Sequence, residues 1–470
     1  MPWQQAAGTA AGRAAHGRCS VASPRQVALD VLRAVEADDA YANLLLPARI
    51  AAAGLDERDA GLATELTYGT LRRRGLYDAV IALAANRPIG AVDEHAIDIL
   101  RLGVHQLFAM RIPPHAAVGE TVGLVQKASA RGFVNGVLRT ISRTTPEEWI
   151  ARAVAGARSG EEALAIEHSH PAWVVRALRQ VLVAEGREGE LEQLLVADNV
   201  APAVSLVALP GLSSLDDLTG AGARAAEYSP VGALLSGGDP TRIQAVAAGR
   251  ARVQDEGSQL AALALSRARP VEAGERWLDL CAGPGGKAAL LAAEAAAGGA
   301  ALTANELVPA RVGLVRKALA PFGDAVRAVE GDGTTFGERE PGAFDRILLD
   351  APCTGLGALR RRPEARWRKQ PGDVPGLGEL QSRLLDAAIA AVKPGGLVAY
   401  VTCSPHAAET KAVVSAALRK HPDVRALDTQ MVVRAVAKAP LDLAPGTHVQ
   451  LWPHRHGTDA MFIQLLERVE

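Results

Sequence analysis

The first third of the chain carries apolar residues at helical spacing. Val27, Val31 and Val35 recur every four residues after Ser23-Pro24, which provides an N-cap serine and a proline at the first helical position. Three further stripes follow the same rule: Leu62, Leu66 and Leu71; Ile97, Leu100, Val104, Leu107 and Phe108; and Phe133, Val137 and Ile141. The spacing therefore predicts a compact all-helical domain over residues 21–145.

The hydrophobic pattern weakens over residues 146–250. A helical stretch around 161–197 leads into a β-like apolar run at 203–209, and clusters of Gly and Asp at 211–223 and 237–240 indicate loops. We interpret this region as a connecting subdomain in front of the next domain.

Over residues 251–470, short apolar runs alternate with helical segments. The predicted buried strands are 276–280, 301–305, 325–329, 344–350 and 397–402. This alternation is typical of an α/β, doubly wound, mostly parallel sheet. Two last runs, 448–452 and 460–465, predict an antiparallel pair at the edge of that sheet.

Composition limits the class of protein. A chain of 470 residues that is 49% hydrophobic suits two or three globular domains, and we expect a monomer. The formal net charge is -1, so any binding of nucleic acid must use local basic patches. No segment reaches about 18 uninterrupted apolar residues, which predicts that the chain does not enter a membrane. Residues 1–20 lack the apolar core of a secretory signal and predict a disordered tail.

The cysteines indicate the compartment. They stand at positions 19, 281, 353 and 403, and none forms a CxxC pair or a zinc-like cluster with histidine. The sequence therefore predicts no metal site and no disulfide framework. Widely spaced free thiols indicate a reducing, cytoplasmic location.

A glycine-rich turn follows the first strand of the predicted sheet. It reads Cys281, Ala282, Gly283, Pro284, Gly285, Gly286 and Lys287. Doubly wound sheets bind ligands at this place, and glycine lets the backbone approach them closely. A phosphate loop of the Walker A type is excluded because Ala288 stands where Ser or Thr must hold magnesium. A dinucleotide and adenosylmethionine both remain compatible with the turn.

Acidic residues end the next two strands. Glu306 stands where a carboxylate can hold both hydroxyls of a ribose, and this favours adenosylmethionine as the ligand. Asp332 follows the third strand and can accept a hydrogen bond from an adenine amino group.

Two cysteines lie at the tips of neighbouring predicted strands. Cys353 closes the motif 350–353, Asp-Ala-Pro-Cys, and Cys403 is the centre of the motif 402–404, Thr-Cys-Ser. Carbon 5 of cytosine is a weak nucleophile, and a thiolate that adds at carbon 6 activates it. Asp350 is the candidate group for a hydrogen bond to N3 of the ring.

The motifs 279–287, 350–353 and 402–404 together resemble the signature of the RsmB/NOP family of RNA 5-methylcytosine methyltransferases. The resemblance implies a Rossmann-like class I methyltransferase that uses S-adenosylmethionine. In this family the cysteine of the Thr-Cys motif attacks the base, and the cysteine of the Pro-Cys motif assists product release. These roles carry over to Cys403 and Cys353. DNA cytosine methyltransferases are less similar, because their Pro-Cys cysteine is the nucleophile.

The resemblance extends over most of the chain. Residues 253–259, 361–367 and 454–462 are similar to further family segments, and residues 21–145 are similar to the NusB-type RNA-binding domain of its small-subunit rRNA enzymes. It implies 16S ribosomal RNA as the substrate. The implied cofactor residues are the loop 281–287, Glu306, Arg311, Asp332 and Asp350. The chain departs from the family pattern at Glu306 (usually Asp), at Ala288 (often Thr) and at 202–208, which lacks an Arg and an Asn.

A basic run follows the Pro-Cys motif. It contains Arg360, Arg361, Arg362, Arg366, Arg368 and Lys369, with Glu364 as the only acid. Its position just after Cys353 predicts contacts with RNA phosphates at the mouth of the active site.

Two other functions remain open at the level of sequence. The substrate can be transfer RNA with the same chemistry, or the chain can be a non-catalytic RNA-binding adaptor that uses its NusB-like domain. An adaptor has no use for both Cys353 and Cys403, so their joint presence favours the enzyme.

Overall fold

The structure is a computed structural model that describes residues 23–38 and 40–469. The predicted tail at 1–20, which includes Cys19, lies outside the described residues. Among the described helices, none is both long enough and apolar enough to cross a bilayer.

The N-terminal region is helical, as predicted. Its helices are α1 (Pro24–Ala37), α2 (Ala42–Ala53), α3 (Glu57–Arg72), α4 (Arg74–Ala85), α5 (Glu94–Ala109), α6 (Pro114–Gly123) and α7 (Ala128–Ile141). Ser23 caps α1, because its Oγ accepts a hydrogen bond from the Gln26 amide at 3.2 Å. Val27, Val31 and Val35 are all buried, so the four-residue spacing marks the face of α1 that enters the core.

The connecting region is larger than the sequence predicts. It contains α8 (Pro146–Ala155), α9 (Gly160–Glu167), α10 (Ala172–Ala184), α11 (Leu191–Ala197), β1 (Val204–Ala208), α12 (Leu215–Thr219), β2 (Arg224–Ala225), β3 (Gly232–Leu235), α13 (Gln244–Ala247) and β4 (Ala251–Val253). The four strands form an antiparallel sheet in the order β2-β3-β1-β4. β4 completes this sheet, so the first residues of the predicted last region, 251–253, pair with a strand of the connecting region.

The last region is the predicted α/β unit. Its elements are α14 (Glu256–Ser266), β5 (Arg276–Asp279), α15 (Gly286–Gly298), β6 (Ala301–Glu306), α16 (Pro309–Leu319), β7 (Val326–Glu330), α17 (Phe336–Arg339), β8 (Phe344–Asp350), α18 (Ala365–Arg368), α19 (Asp373–Ala391), β9 (Val392–Thr402), α20 (Lys411–Lys420), β10 (Val424–Ala426), α21 (Thr429–Val436), β11 (Val449–Gln450), α22 (Pro453–His456) and β12 (Phe462–Arg468).

The sheet of this region runs β10-β12-β9-β8-β5-β6-β7. Strands β5 to β9 are parallel, and β12 joins β9 and β10 antiparallel, with β11 paired to β12. The prediction of a mostly parallel, doubly wound sheet is confirmed. The predicted antiparallel pair of the last two strands is confirmed as β11 and β12, but β12 is not an edge strand, because β10 pairs on its outer side.

Helices cover both faces of the sheet. Alternate residues of β8 show this, since Leu348 packs into one hydrophobic core while Ile347 and Leu349 pack into the other. A strand that is buried on both faces must place its polar groups at its ends. The carboxyl ends of β5, β6, β8 and β9 therefore gather the polar side chains at one edge of the sheet.

Candidate active site

The predicted cofactor loop joins β5 to α15. Gly285 has φ +103°, a left-handed conformation that favours glycine. The Gly283 amide donates a hydrogen bond to Glu306 Oε2 at 3.0 Å. A Cβ atom at Gly283 would lie 2.1 Å from that oxygen, so only glycine allows this close approach. The structure thus brings the loop and the end of β6 into direct contact.

Arg311 completes this contact. Its Nη2 donates to the Gly283 carbonyl at 2.6 Å, and its Nη1 lies 3.7 Å from Glu306 Oε1. Glu306 is buried, and Oε1 also accepts a hydrogen bond from the Val308 amide. Three of the predicted cofactor residues, Gly283, Glu306 and Arg311, therefore form one cluster.

Asp332 lies next to a residue that contacts this cluster, since the Gly331 amide donates a hydrogen bond to the Glu306 carbonyl at 3.2 Å. Asp332 follows β7 and caps a short turn, where Oδ1 accepts hydrogen bonds from the amide and hydroxyl of Thr334. Asn305, which was not predicted from the sequence, connects the segment before the cofactor loop with the segment before Asp332. Its buried Nδ2 donates to the carbonyl of Leu280 at 3.0 Å and to that of Gly331 at 3.1 Å. An asparagine inside a strand gives no signal in the sequence that it braces two loops.

Two acidic groups lie beneath and beside the loop. Asp279 is 1% exposed, and burial, reinforced by the carboxylate of Asp350, raises its pKa to about 8. Lys287 Nζ lies 2.8 Å from Asp350 Oδ2. Burial opposes the charge of Lys287, but Asp350 outweighs it, so the pKa of Lys287 is raised. The loop therefore ends in an ion pair with the Asp of the Pro-Cys motif.

The two predicted catalytic cysteines are in contact. Cys353 Sγ and Cys403 Sγ are 3.4 Å apart, because β8 and β9 are parallel neighbours and each thiol follows its strand end. The hydrogen bond between the two thiols lowers the pKa of Cys403, and Lys287 contributes in the same direction. The same hydrogen bond, together with burial, raises the pKa of Cys353. The two pKa shifts have opposite directions, and they favour the thiolate on Cys403.

Cys281 differs from this pair. Burial raises its pKa well above the ordinary value, and nearby acidic groups add to the effect. A buried thiol in this state is a poor nucleophile. Its place in the glycine-rich loop is that of a small packing residue.

A carboxylate that sequence reasoning missed lies under both cysteine motifs. Glu409 is fully buried and accepts hydrogen bonds from the Thr354 amide at 2.8 Å, from Ser404 Oγ at 2.6 Å and from Gln381 Nε2 at 3.2 Å. Thr354 and Ser404 each follow one of the two cysteines. One side chain therefore holds both motifs.

The basic run is only partly a surface, which corrects the predicted RNA contacts. Arg360 and Arg361 pair with Asp255 and Asp459 at distances of 2.7 to 3.1 Å, and Arg360 is buried. These guanidinium groups stabilise the packing of distant segments. Arg360 is therefore an internal residue, whereas the Arg361 side chain is 24% exposed although it is held by the same two carboxylates.

Arg366 and Arg368 point toward the helical domain. Arg366 is 0% exposed and donates to the carbonyls of Arg72, Ser169 and Asp198. Arg368 donates to the carbonyl of Ala40 at 2.6 Å. The reason is that α18 packs between the domains, so its basic side chains satisfy backbone carbonyls there. Arg366 is therefore removed from the predicted RNA contacts.

Four members of the run keep contact with solvent: Arg361, Arg362, Arg368 and Lys369. Arg362 is exposed, and its guanidinium lies 6.0 Å from the ring centre of Tyr41, which is itself 45% exposed. Lys369 is partly exposed. No group of three or more His, Cys, Asp or Glu side chains suited to a metal ion occurs within the described residues.

Comparisons with known proteins agree with this arrangement. Residues 268–467 match the family model of the 16S rRNA methyltransferase RsmB/F, and residues 22–143 match that of the NusB family. The crystal structure of PH0851 superposes with a TM-score of 0.76 over 94% of this chain and 98% of that one. At 21% identity this likeness shows the fold.

Sequence relatives cover nearly the whole chain. A Mycobacterium tuberculosis H37Rv protein named "Putative methyltransferase Rv1407" is 50% identical, over 95% of this chain and 96% of its own length. The ribosomal RNA small subunit methyltransferase B of Pseudomonas putida KT2440 is 35% identical, over 86% and 91%. The resemblance inferred from the motifs is confirmed. The chain belongs to the RsmB/F family of 16S rRNA methyltransferases and carries a NusB-family domain in front of the catalytic region.

Proposed function

We propose that this chain methylates carbon 5 of a cytosine in 16S ribosomal RNA, with adenosylmethionine as the methyl donor and Cys403 as the covalent nucleophile. The observation that carries the proposal is the contact of two thiols at 3.4 Å, beside the carboxylate of Asp350, at the edge of the sheet where the cofactor loop also ends. Methylation of an oxygen or an exocyclic nitrogen needs no such pair.

The residues present fit adenosylmethionine. Gly283 and Gly285 let the loop pack so closely on Glu306 and Ala318 that a Cβ atom at either position would clash, while Glu306 ends β6 and Asp332 follows β7. Glu306 would hold the ribose hydroxyls, Asp332 the adenine amino group, and Arg311 would fix the loop and Glu306. When bound, adenosylmethionine supplies the methyl group that carbon 5 receives.

The chain's own residues prepare the base. The Cys403 thiolate forms a bond to carbon 6, and the electron pair of the 5,6 double bond becomes available at carbon 5. Asp350 would contact N3 through a shared proton, because N3 and a carboxylate oxygen are both acceptors, and that proton would favour the addition. After methylation, a base (water or the thiolate form of Cys353) takes the carbon-5 proton. The electrons of that C–H bond restore the 5,6 double bond, the bond between carbon 6 and Cys403 breaks, and Cys403 leaves as a thiolate with the assistance of Cys353. The target base must leave any RNA helix to reach both thiols.

Bisulfite sequencing of total RNA tests the proposal. Cells that lack the gene should lose protection at a 16S cytosine, and a wild-type copy should restore it while a copy with Cys403→Ala should not. Unchanged protection of every ribosomal cytosine would contradict the proposal. Loss of protection in transfer RNA alone would keep the chemistry and change the substrate.

A further inference from the structure

Glu409 is a fully buried carboxylate to which the proposed mechanism gives no part. A buried charge is unfavourable unless donors surround it. Glu409 has four: the amide and hydroxyl of Thr354, the hydroxyl of Ser404 and the amide nitrogen of Gln381. Gln381 also donates to the Pro352 carbonyl at 2.8 Å. The donors lie directly after the two cysteines or on α19, the helix that packs on β8 and β9.

These bonds fix the relative position of the thiols. Thr354 follows Cys353 directly, Ser404 follows Cys403 directly, and the two hydroxyls are 3.0 Å from each other. The Cys403 carbonyl accepts a hydrogen bond from the Gly357 amide at 2.8 Å, which joins the two loops a second time. Movement of either loop away from the other would break bonds to Glu409.

The charge of Glu409 is one of the causes that raise the pKa of Cys353. The pKa of Cys353 is raised by its hydrogen bond to Cys403, by burial and, in addition, by the charges of Cys403, Glu409 and Asp350. The pKa of Cys403 is lowered by its hydrogen bond with Cys353, with Lys287 and Arg362 acting in the same direction. The charged groups that act on the two thiols are Asp350, Lys287, Arg362 and Glu409. Tyr400 and His406 are the titratable groups on which Glu409 acts in turn.

We propose that Glu409 is the positioning residue that holds the two thiols in contact and keeps the proton of the pair on Cys353, so that Cys403 is the thiol that attacks. The last clause rests on the proposed function. The proton distribution itself is a property of the free protein, and it can be measured without RNA or cofactor.

The test compares the wild-type chain with Glu409→Gln, which keeps the size of the side chain but removes the charge. Each protein receives short pulses of iodoacetamide over a range of pH, and mass spectrometry gives the alkylation rate of Cys353 and of Cys403. In the wild type, Cys403 should react at lower pH than Cys353. In Glu409→Gln, the ratio of the two rates at neutral pH should fall about ten-fold, which corresponds to one pKa unit.

The matched control is Glu275→Gln. Glu275 is also a mostly buried carboxylate that binds an arginine and a tryptophan, but it lies before β5 at the opposite end of the sheet. Its variant should keep the wild-type ratio. Glu409→Asp retains the carboxylate charge, so it should keep most of the wild-type ratio of alkylation rates. This variant is compared with the wild type if Glu409→Gln fails to fold.

An unchanged ratio in folded Glu409→Gln would overturn the proposal and leave Glu409 as a packing group. The outcome is separable from the proposed function. If Glu409→Gln changes the ratio of alkylation rates but the wild-type protein methylates no RNA, only the proposed function is contradicted. If the ratio is unchanged and the wild-type protein is an active methyltransferase, only the role of Glu409 is contradicted.

Discussion

Lys287 Nζ lies 2.8 Å from Asp350 Oδ2, so the last residue of the cofactor loop is paired with the last residue of β8. The Lys287 side chain is 10% exposed, and its charge also acts on Cys403. One ammonium group therefore connects the loop that would hold the methyl donor with the thiol that would activate the base.

Replacing Lys287 with Met should move the acidic limb of the pH dependence of kcat/KM for methylation to higher pH. The thiolate of Cys403 exists above the pKa of that thiol and is lost as the pH falls through it. Without Lys287 this pKa rises, so kcat/KM at neutral pH should fall on the order of ten-fold. The measurement is kcat/KM against pH, with Lys317→Met on the exposed face of α16 as control. An acidic limb at the wild-type position would show that Lys287 does not act on the thiol.

Cys403→Ala and Cys353→Ala should fail at different steps. Loss of Cys403 should abolish methylation but leave RNA binding intact, because it removes only the covalent step. Loss of Cys353 should stall release, so that a covalent protein–RNA complex accumulates as a retarded band on a denaturing gel. The double variant should give no band. A band from Cys403→Ala alone would make Cys353 the nucleophile, as in the DNA enzymes.

Glu306→Ala should weaken the binding of adenosylmethionine, because it removes the carboxylate that would hold the ribose and that now anchors Gly283. We expect at least a ten-fold increase in Kd by calorimetry, about 1.4 kcal/mol. Glu330→Ala, at the exposed end of β7, is the control and should bind normally. An unchanged Kd for folded Glu306→Ala would remove Glu306 from the site.

Within the basic run, residues that face solvent and residues that form ion pairs should respond differently to substitution. Changing Arg362 and Lys369 to Ala should flatten the salt dependence of RNA binding, by about 0.7 in the log–log slope for each phosphate that the protein no longer neutralises. Arg361→Ala should leave that slope alone but destabilise the fold by on the order of 3 kcal/mol, because Asp255 and Asp459 lose a partner. Filter binding and denaturant unfolding measure the two effects. Equal slopes in wild type and the double variant would leave Arg362 and Lys369 as solvated charges.

The sequence predicts the strands that carry the site well. The end of β8 falls at Asp350 as expected, because an apolar run that stops at a polar motif marks both the strand and its tip. The three-residue strand β10 escapes prediction, since Val424–Ala426 is too short to show a period. Its pairing with β12 depends on contacts between distant segments.

The basic run shows that a sequence identifies its charged residues but not which of them are buried. A cluster of like charges looks solvated in a sequence, and Asp255 and Asp459, which neutralise Arg360, stand about a hundred positions away on either side. Glu409 is hidden in the same way. A glutamate six positions after Cys403 has the pattern of an exposed helix start, and only the fold gives it Thr354 and Gln381 as donors.

The buried guanidinium of Arg366 has a consequence for how the protein unfolds. Its hydrogen bonds reach Arg72 in the helical domain and Ser169 and Asp198 in the connecting region, while its own backbone belongs to the segment that continues from Cys353. If the catalytic region separated from the helical domain and the connecting region, the charged guanidinium of Arg366 would lose its hydrogen-bond partners in an apolar setting. This is strongly unfavourable. The NusB-like domain and the catalytic sheet, although each has a core of its own, should therefore melt together in a single cooperative transition.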